Sequence, residues 1–285
     1  PDDARNARKS RPCLTFDRTN QFLQQVVNDA RQNKPSIKCL PADGGADIAV
    51  AQKLDGIIRH IEYVSRAGIA YDTAIDHAAR TGLGWLRAVP QVMRPETNEQ
   101  EIRIMRIHDP LSVMLDADST QPDGSDASYG FVETMYSTKA FERMYPKATP
   151  VSMDGGKWST KEGVKLCEYF EVVEKEENRI QVNLEGQTML MTEDEYWETS
   201  QQVGFKLPYI STTKVTTRKV LWHKMTGAEM LEETEFPSQY IPLIPVIGDE
   251  IWIEGERFLC GMVRKMMDSQ RFHNYSISQL AETIA

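Results

Sequence analysis

The sequence predicts an α+β fold: three helices, then a mostly β region with short helices, then one long helix at the C-terminus. Three observations carry this. Between Asp17 and Arg80, apolar residues recur at helical spacing. From Trp85 the period shortens towards the alternation of strands, with β-branched residues and turn signals between segments. From Glu256 to Ala285 there is no proline and a single glycine, Gly261, and helix-favouring Met, Leu, Arg, Lys, Gln and Ala dominate.

In order, residues 1–13 are polar and basic. Asp17 or Thr19 is placed to cap a helix over DRTNQFLQQVVNDARQNKPSI, with Phe22, Val26 and Val27 as its apolar spacing. Asn33-Lys34-Pro35 stops it, because a residue ahead of proline resists the helical conformation. Ser36 to Pro41 reads as a short strand. A second helix is predicted from about Asp47 to Ala67, its apolar face made of Ile48, Ala51, Leu54, Ile57, Ile58 and Ile61 and its end marked by Gly68. A third runs near Ile69 to Arg80 and stops at Thr81-Gly82-Leu83-Gly84.

Strands are predicted at Trp85 to Val92, at 101–108 (EIRIMRIH), at 111–116 and at 129–137, followed by a short helix at 139–146. GVKLCEYFEVVEKE (163–176) and NRIQVNLEGQTMLMT (178–192) read as hairpin partners around Glu176-Glu177-Asn178. Thr192 caps an amphipathic helix over 192–204, and β-branched 212–227 is a long strand. An apolar run, Ile241 to Ile247, is stiffened by Pro242 and Pro245. It leads through a Gly-Asp-Glu turn to a strand at Ile251 to Ile253, a second turn at Glu254-Gly255, and the final helix.

The 285 residues suffice for one large or two ordinary domains. Apolar content of 40% and charged content of 26% are ordinary for a globular protein, and no apolar run approaches the length of a membrane span. The net charge of −9 argues against tight nucleic-acid binding as the main task, since that affinity rests on Lys and Arg neutralising phosphates. Charge is uneven: residues 1–38 carry eight basic and four acidic side chains, whereas 168–178 and 192–198 are acidic runs that read as solvated surface. Cys13, Cys39, Cys167 and Cys260 form no CxxC, and the five histidines show no zinc spacing. The opening Pro1 and a helical pattern still running at Ala285 suggest part of a longer protein.

Motifs that could carry chemistry fail on spacing. Gly155-Gly156-Lys157 resembles a phosphate loop. However, Val151 stands where its first glycine must be, and Trp158 where Ser or Thr must follow the lysine. The loop of Asp116, Asp118, Asp123 and Asp126 resembles a calcium loop but lacks the EF-hand spacing and the closing glutamate. It is a weak candidate cation site, the only one, and the basis of an alternative reading as a metal-dependent nuclease. Gly82-x-Gly84 lies between helix and strand, the reverse of a dinucleotide fingerprint. His77 beside Asp76 and Asp72 reads as a helical histidine rather than a dyad. No catalytic constellation and no cofactor site is predicted.

The final helix has a countable pattern. Leu259, Val263, Met266, Gln270, His273, Ile277, Leu280 and Ile284 follow a 4-3 alternation, interrupted by the polar Gln270 and His273. Arg264, Lys265 and Arg271 lie on other faces. The pattern fits a helix packed on its own core, and equally one packed against copies of itself with a polar interruption setting register.

Three stretches together resemble the portal proteins of tailed double-stranded DNA bacteriophages of the short-tailed, podovirus type. They are RPCLTFDRTNQFLQQVVNDARQNKPSIK (11–38), IIRHIEYVSRAGIAYDTAIDHAARTGLGWLR (57–87) and IPLIPVIGDEIWIEGERFLCGMVRKMMDSQRFHNYSISQLAE (241–282), and 109–132 fits as well. The resemblance covers most of the chain, in order. It implies a non-enzymatic subunit of a homo-oligomeric ring of about twelve at one capsid vertex of the virion, assembled in the host cytoplasm. Double-stranded DNA would pass through the ring in packaging and ejection, and terminase, scaffolding, coat and head-completion or tail proteins would be partners, with no membrane. Residues 1–255 would be wing, and 256–285 the start of a stem helix, with clip, remaining stem and crown beyond Ala285. Leu259, Val263, Met266, Gln270, His273, Ile277 and Leu280 then become ring-contact candidates, and Arg264, Lys265 and Arg271 candidates to face DNA or a partner. A non-ring structural adaptor is the remaining alternative.

Overall fold

The computed structural model describes residue 6 and residues 11–34, 36–41, 47–94, 96–97, 99–148, 163–184, 187–204 and 206–284. The chain is α+β, with a long helix at its C-terminal end. It divides into two compact units: residues 1–111, 121–124 and 242–285 in the first, and 112–120 with 125–241 in the second. Among the described residues no helix is long and apolar enough to cross a membrane.

The first unit opens with α1 (Asn20–Gln32), α2 (Ile48–Ser65) and α3 (Ala67–Thr81). Asp17 Oδ1 accepts from the amides of Thr19 and Asn20, so the first exposed donors of α1 are met one turn early, as its sequence suggested. The buried face of α1 is Leu23 and Val27; Phe22 and Val26, expected inside, are exposed. Both rows satisfy helical spacing, and only the neighbouring helix decides between them.

Ser36 to Pro41 forms no strand. The Cys39 amide donates instead to the Asp55 carboxylate at 2.6 Å, which replaces a ladder bond with a side-chain bond to α2. The break after α2 falls at Arg66, not Gly68. Arg66 takes a left-handed conformation (φ 52°), its amide bonds back to Glu62 and Tyr63, and Gly68 lies inside α3.

Helix α3 buries Ala67, Ala70, Ala74 and Ala78, a row of small side chains that lets strands approach its backbone. Those strands are β1 (Leu83–Arg94), β2 (Glu99–Arg106) and β9 (Leu243–Ile247), an antiparallel sheet ordered β2-β1-β9. Leu86, Ala70 and Ala74 form its core, with Tyr71, Ile104 and Val246 packed around them.

A hairpin, β10 (Asp249–Ile253) and β11 (Glu256–Cys260), precedes the last helix, α6 (Met262–Ile284). Helix from Glu256 was the expectation, and the chain does otherwise. Glu254 and Gly255 both take positive φ (53° and 83°), the signature of a two-residue hairpin turn that folds the next five residues back on β10. Arg257 then pairs with Glu250 at 2.8 Å, so Leu259 sits on a strand and not on the helical seam. Gly261 separates strand from helix where a Cβ would lie 2.2 Å from the Arg80 carbonyl oxygen.

The second unit is a sheet ordered β3-β4-β5-β7-β8, with β6 also pairing β5. Its strands are β3 (Val113–Leu115), β4 (Tyr129–Tyr136), β5 (Val164–Leu184), β6 (Gln187–Thr192), β7 (Tyr209–Met225) and β8 (Met230–Phe236); helices α4 (Thr138–Met144) and α5 (Glu193–Val203) join them. The hairpin predicted around Glu176-Glu177-Asn178 does not form. Residues 164–184 are one strand, paired to β7 from Cys167 to Val182, and the reversal comes after Leu184, whose partner is Gln187. The acidic stretch looked like a turn because both faces of the strand are wet there: it lies between two packed ends of β5. Lys214 pairs with Glu176 and Arg179 with Glu177, so β7 supplies part of the opposing charge.

One end of β5 packs Val164 and Leu166 on Phe141 of α4; the other packs Ile180 and Val182 on Tyr196 of α5. Helix α5 begins with a full capping box: the Thr192 hydroxyl accepts from Glu195 N, and Glu195 Oε2 accepts from Thr192 N at 2.8 Å. Thr192→Ala is expected to cost about 1 kcal/mol, read as faster amide exchange confined to the first turn of α5.

Candidate functional site

The region singled out by sequence, α6, is a helix with one half-buried stripe. Val263, Met266, Gln270, His273 and Ile277 lie on it, with Ser278 fully buried at its side. Leu280 and Ile284, the last members of the predicted seam, are exposed, as are Phe272 and Tyr275 on other faces. Leu259 is removed to β11. Five of the eight positions thus share one half-buried stripe, and the chain's own first helix lies beside it: Met266, Gln270 and His273 line a cleft of about 270 Å³ with Arg18, Thr19 and Phe22. His273 Nε2 is buried there without a hydrogen-bond partner among the described residues.

Gln270 belongs to a row that sequence reading did not assemble. Its side chain accepts from Arg18 N at 2.9 Å and donates to the Phe16 carbonyl. One turn on, Asn274 Oδ1 accepts from Phe16 N at 3.0 Å; another turn on, Ser278 Oγ accepts from Leu14 N at 2.9 Å. Arg11 pairs with Glu282 at 3.5 Å. The signal was present as polar residues at four-residue spacing inside an apolar stripe, but only the fold says that a segment some 260 positions away uses them.

The cationic candidates are not equivalent. Lys265 pairs with Asp249, and Arg271 with Asp268 at 3.3 Å on its own helix. Arg264 is exposed.

The acidic loop uses its carboxylates to build itself. Asp116 accepts from Asp118 N at 3.0 Å and from Ser128 N at 2.9 Å. Asp126 accepts from Ser119 Oγ at 2.6 Å and from both Thr120 N and Thr120 Oγ1. Asp123 groups with the first unit, the other three with the second. Among the described residues no set of three or more His, Cys, Asp or Glu side chains is arranged to hold a metal. These are turn-forming aspartates, and nothing in their geometry favours the nuclease reading.

The remaining motifs resolve in the same direction. Asp76 pairs with Arg80 and Asp72 with Arg31, so each of the two carboxylates considered for a dyad is held by an arginine. Burial lowers the His77 pKa, and its Nδ1 has no partner among the described residues. All four cysteines are free. The stretch around Gly155-Gly156-Lys157 lies outside the described residues.

A surface that the sequence suggested would be covered is open. Of the predicted apolar face of α2 only Ala51 is buried. Ile48, Leu54 and Ile57 are 65%, 47% and 55% exposed, joined by Val50 at 49%. The helix turns Ala51, the half-buried Ile58 and Ile61, and the polar edge of Asp55 and Glu62 towards the unit, where Asp55 holds Cys39 N and Glu62 accepts from the Tyr71 hydroxyl. That leaves Val50, Leu54 and Ile57 as a row of large aliphatic side chains in solvent, with Ile48 exposed on another side of the helix.

Comparison with known proteins places the chain. The model of the family described as phage P22-like portal protein matches residues 1–285. A protein named portal protein, from Acyrthosiphon pisum secondary endosymbiont phage 1, is 27% identical over 287 residues, covering 95% of this chain and 40% of that protein. The chain thus spans less than half the length of this curated relative. With the match running from the first residue to the last, the chain belongs to the phage P22-like portal protein family.

Proposed function

We propose that this chain is part of a non-enzymatic portal subunit that closes into a ring of about twelve copies at one capsid vertex. Double-stranded DNA passes through the ring during packaging and ejection. Terminase docks on it first, then head-completion or tail proteins, with scaffolding and coat proteins as neighbours. Assembly takes place in the host cytoplasm, and the ring stays in the virion. The observation that carries this reading is the family match along the whole chain.

Residues 1–255 are assigned to the wing and the segment from 256 to the approach to the stem, the helical part beginning at Met262. Val263, Met266, Gln270, His273, Ile277 and Leu280 remain ring-contact candidates on α6, with Arg264 as its most available cation. Two features of the chain support the role. Its acidic balance suits a wall past which DNA slides without being gripped. The exposed aliphatic row on α2 suits a surface covered in an assembly.

Mass photometry and negative-stain images of the full-length protein test the ring directly: closed rings are expected, and monomers alone would overturn it. Leu54→Glu with Ile57→Glu tests the α2 row. Both side chains are exposed, so the fold by circular dichroism is expected to be unchanged. Burying two carboxylates between subunits costs several kcal/mol, enough to weaken assembly by about a hundredfold or more. Rings that formed at normal concentration from this variant would remove α2 from the contact.

A further inference from the structure

We infer that residues 11–18 are a detachable strap that braces the last turns of α6 and can open without unfolding the first unit. The strap runs antiparallel to the helix: Arg18, Phe16 and Leu14 offer their amides to Gln270, Asn274 and Ser278 in turn. The geometry is a match of periods. Two residues of extended chain advance about 6.6 Å, and four residues of helix about 6.0 Å, so alternate strap amides meet every fourth helix side chain. Pro12 is next in the period and has no N–H to offer; the following contact is instead the ion pair of Arg11 with Glu282. Two bonds return in the other sense, from Gln270 Nε2 to the Phe16 carbonyl and from Ser278 Oγ to the Leu14 carbonyl at 3.4 Å.

This attachment reads backbone and not side chains. Leu14 and Phe16, the large apolar groups of the strap, are 37% and 46% exposed: both are partly covered, and neither belongs to the buried core of the unit. Its bonds are exposed or half-buried, and water replaces such bonds readily. Few apolar contacts and exposed hydrogen bonds mark segments that open locally at low cost. The hinge is built in: Asp17 accepts from Thr19 N and Asn20 N, which fixes the start of α1 whether or not the strap is docked. When the strap lifts, Gln270, Asn274 and Ser278 turn from backbone partners into an open polar row beside His273 and Ile277, and the turns from Ile277 to Ile284 lose their lateral support.

Hydrogen–deuterium exchange on the full-length protein tests the strap. In the unaltered protein, the amides of residues 14, 16 and 18 are expected to exchange more slowly than free peptide and faster than those in the middle of α3. Asn274→Ala removes the acceptor for Phe16 N. It should speed exchange at Phe16 roughly two- to tenfold, the worth of one such bond, and speed exchange at 277–284, with α3 unchanged. Asn274→Asp keeps the accepting oxygen and should restore slow exchange at Phe16, an outcome that general loosening of the helix would not give. Free-peptide exchange at 14–18 in the unaltered protein, equal acceleration in α3, or no rescue by the aspartate variant would each overturn the strap.

Discussion

Phe170→Ala is expected to destabilise the second unit by about 3–5 kcal/mol, the usual cost of deleting a fully buried aromatic ring. Phe170 is 0% exposed in the middle of β5. It stacks on Trp222, its register partner on β7, with centroids 6.0 Å apart and planes 5° apart. It also meets the edge of Phe236 on β8 at 5.9 Å and 85°. One ring thus ties three consecutive strands, and its loss takes both contacts and leaves a cavity that flat strands cannot close. Chemical denaturation followed by tryptophan fluorescence reads it through Trp222. Phe170→Leu, which refills part of the space, should recover about half of the loss. A midpoint unchanged by Phe170→Ala would mean that this packing does not hold the sheet.

Gly84→Ala is expected to destabilise the first unit by about 3 kcal/mol or more, well beyond the usual effect of one added methyl. A Cβ on Gly84 would lie 2.0 Å from the Ala74 carbonyl oxygen and 2.8 Å from its carbon. Those are backbone atoms of α3, so no side-chain rotation relieves the clash. Helix and strand must part, which opens the Ala70–Ala74–Leu86 core. A matched control is Gly56→Ala, where an added Cβ meets nothing within 4 Å and the helix gains propensity. Thermal unfolding of the two variants should move in opposite directions; equal melting temperatures would show that α3 yields at this point.

The two substitutions also mark what a sequence can and cannot convey. The β-branched run over β7 and the cap at Thr192 are local signals, and the structure follows them. The requirement at Gly84 is not written in its neighbours: it comes from Ala74, ten residues upstream, where the preceding helix packs its backbone against the strand. Gly82-x-Gly84 stands between a helix and a strand, and its second glycine is needed for packing. By composition, Glu176-Glu177-Asn178 reads as a turn. Successive polar residues signal exposure, and exposure is shared by turns and by a solvated stretch of a paired ribbon. The C-terminal run was read by propensity as helix from Glu256, and a two-residue turn at Glu254-Gly255 overrode it.

By itself the sequence determined the α+β class, the three early helices, the strands of β1 to β4 and β7, and the portal resemblance that the family match supports. Those rest on period, caps, spacing and long runs of similarity, all of which are written along the chain. Tertiary structure alone decided which apolar row of α1 is buried, that the row on α2 is left open, and that Gln270, Asn274 and Ser278 hold the backbone of residues 14–18. The reason is that a helical period fixes which residues share a face but not what lies against it. That depends on contacts between residues far apart in the chain, where packing and hydrogen bonding choose among faces the local pattern makes equal.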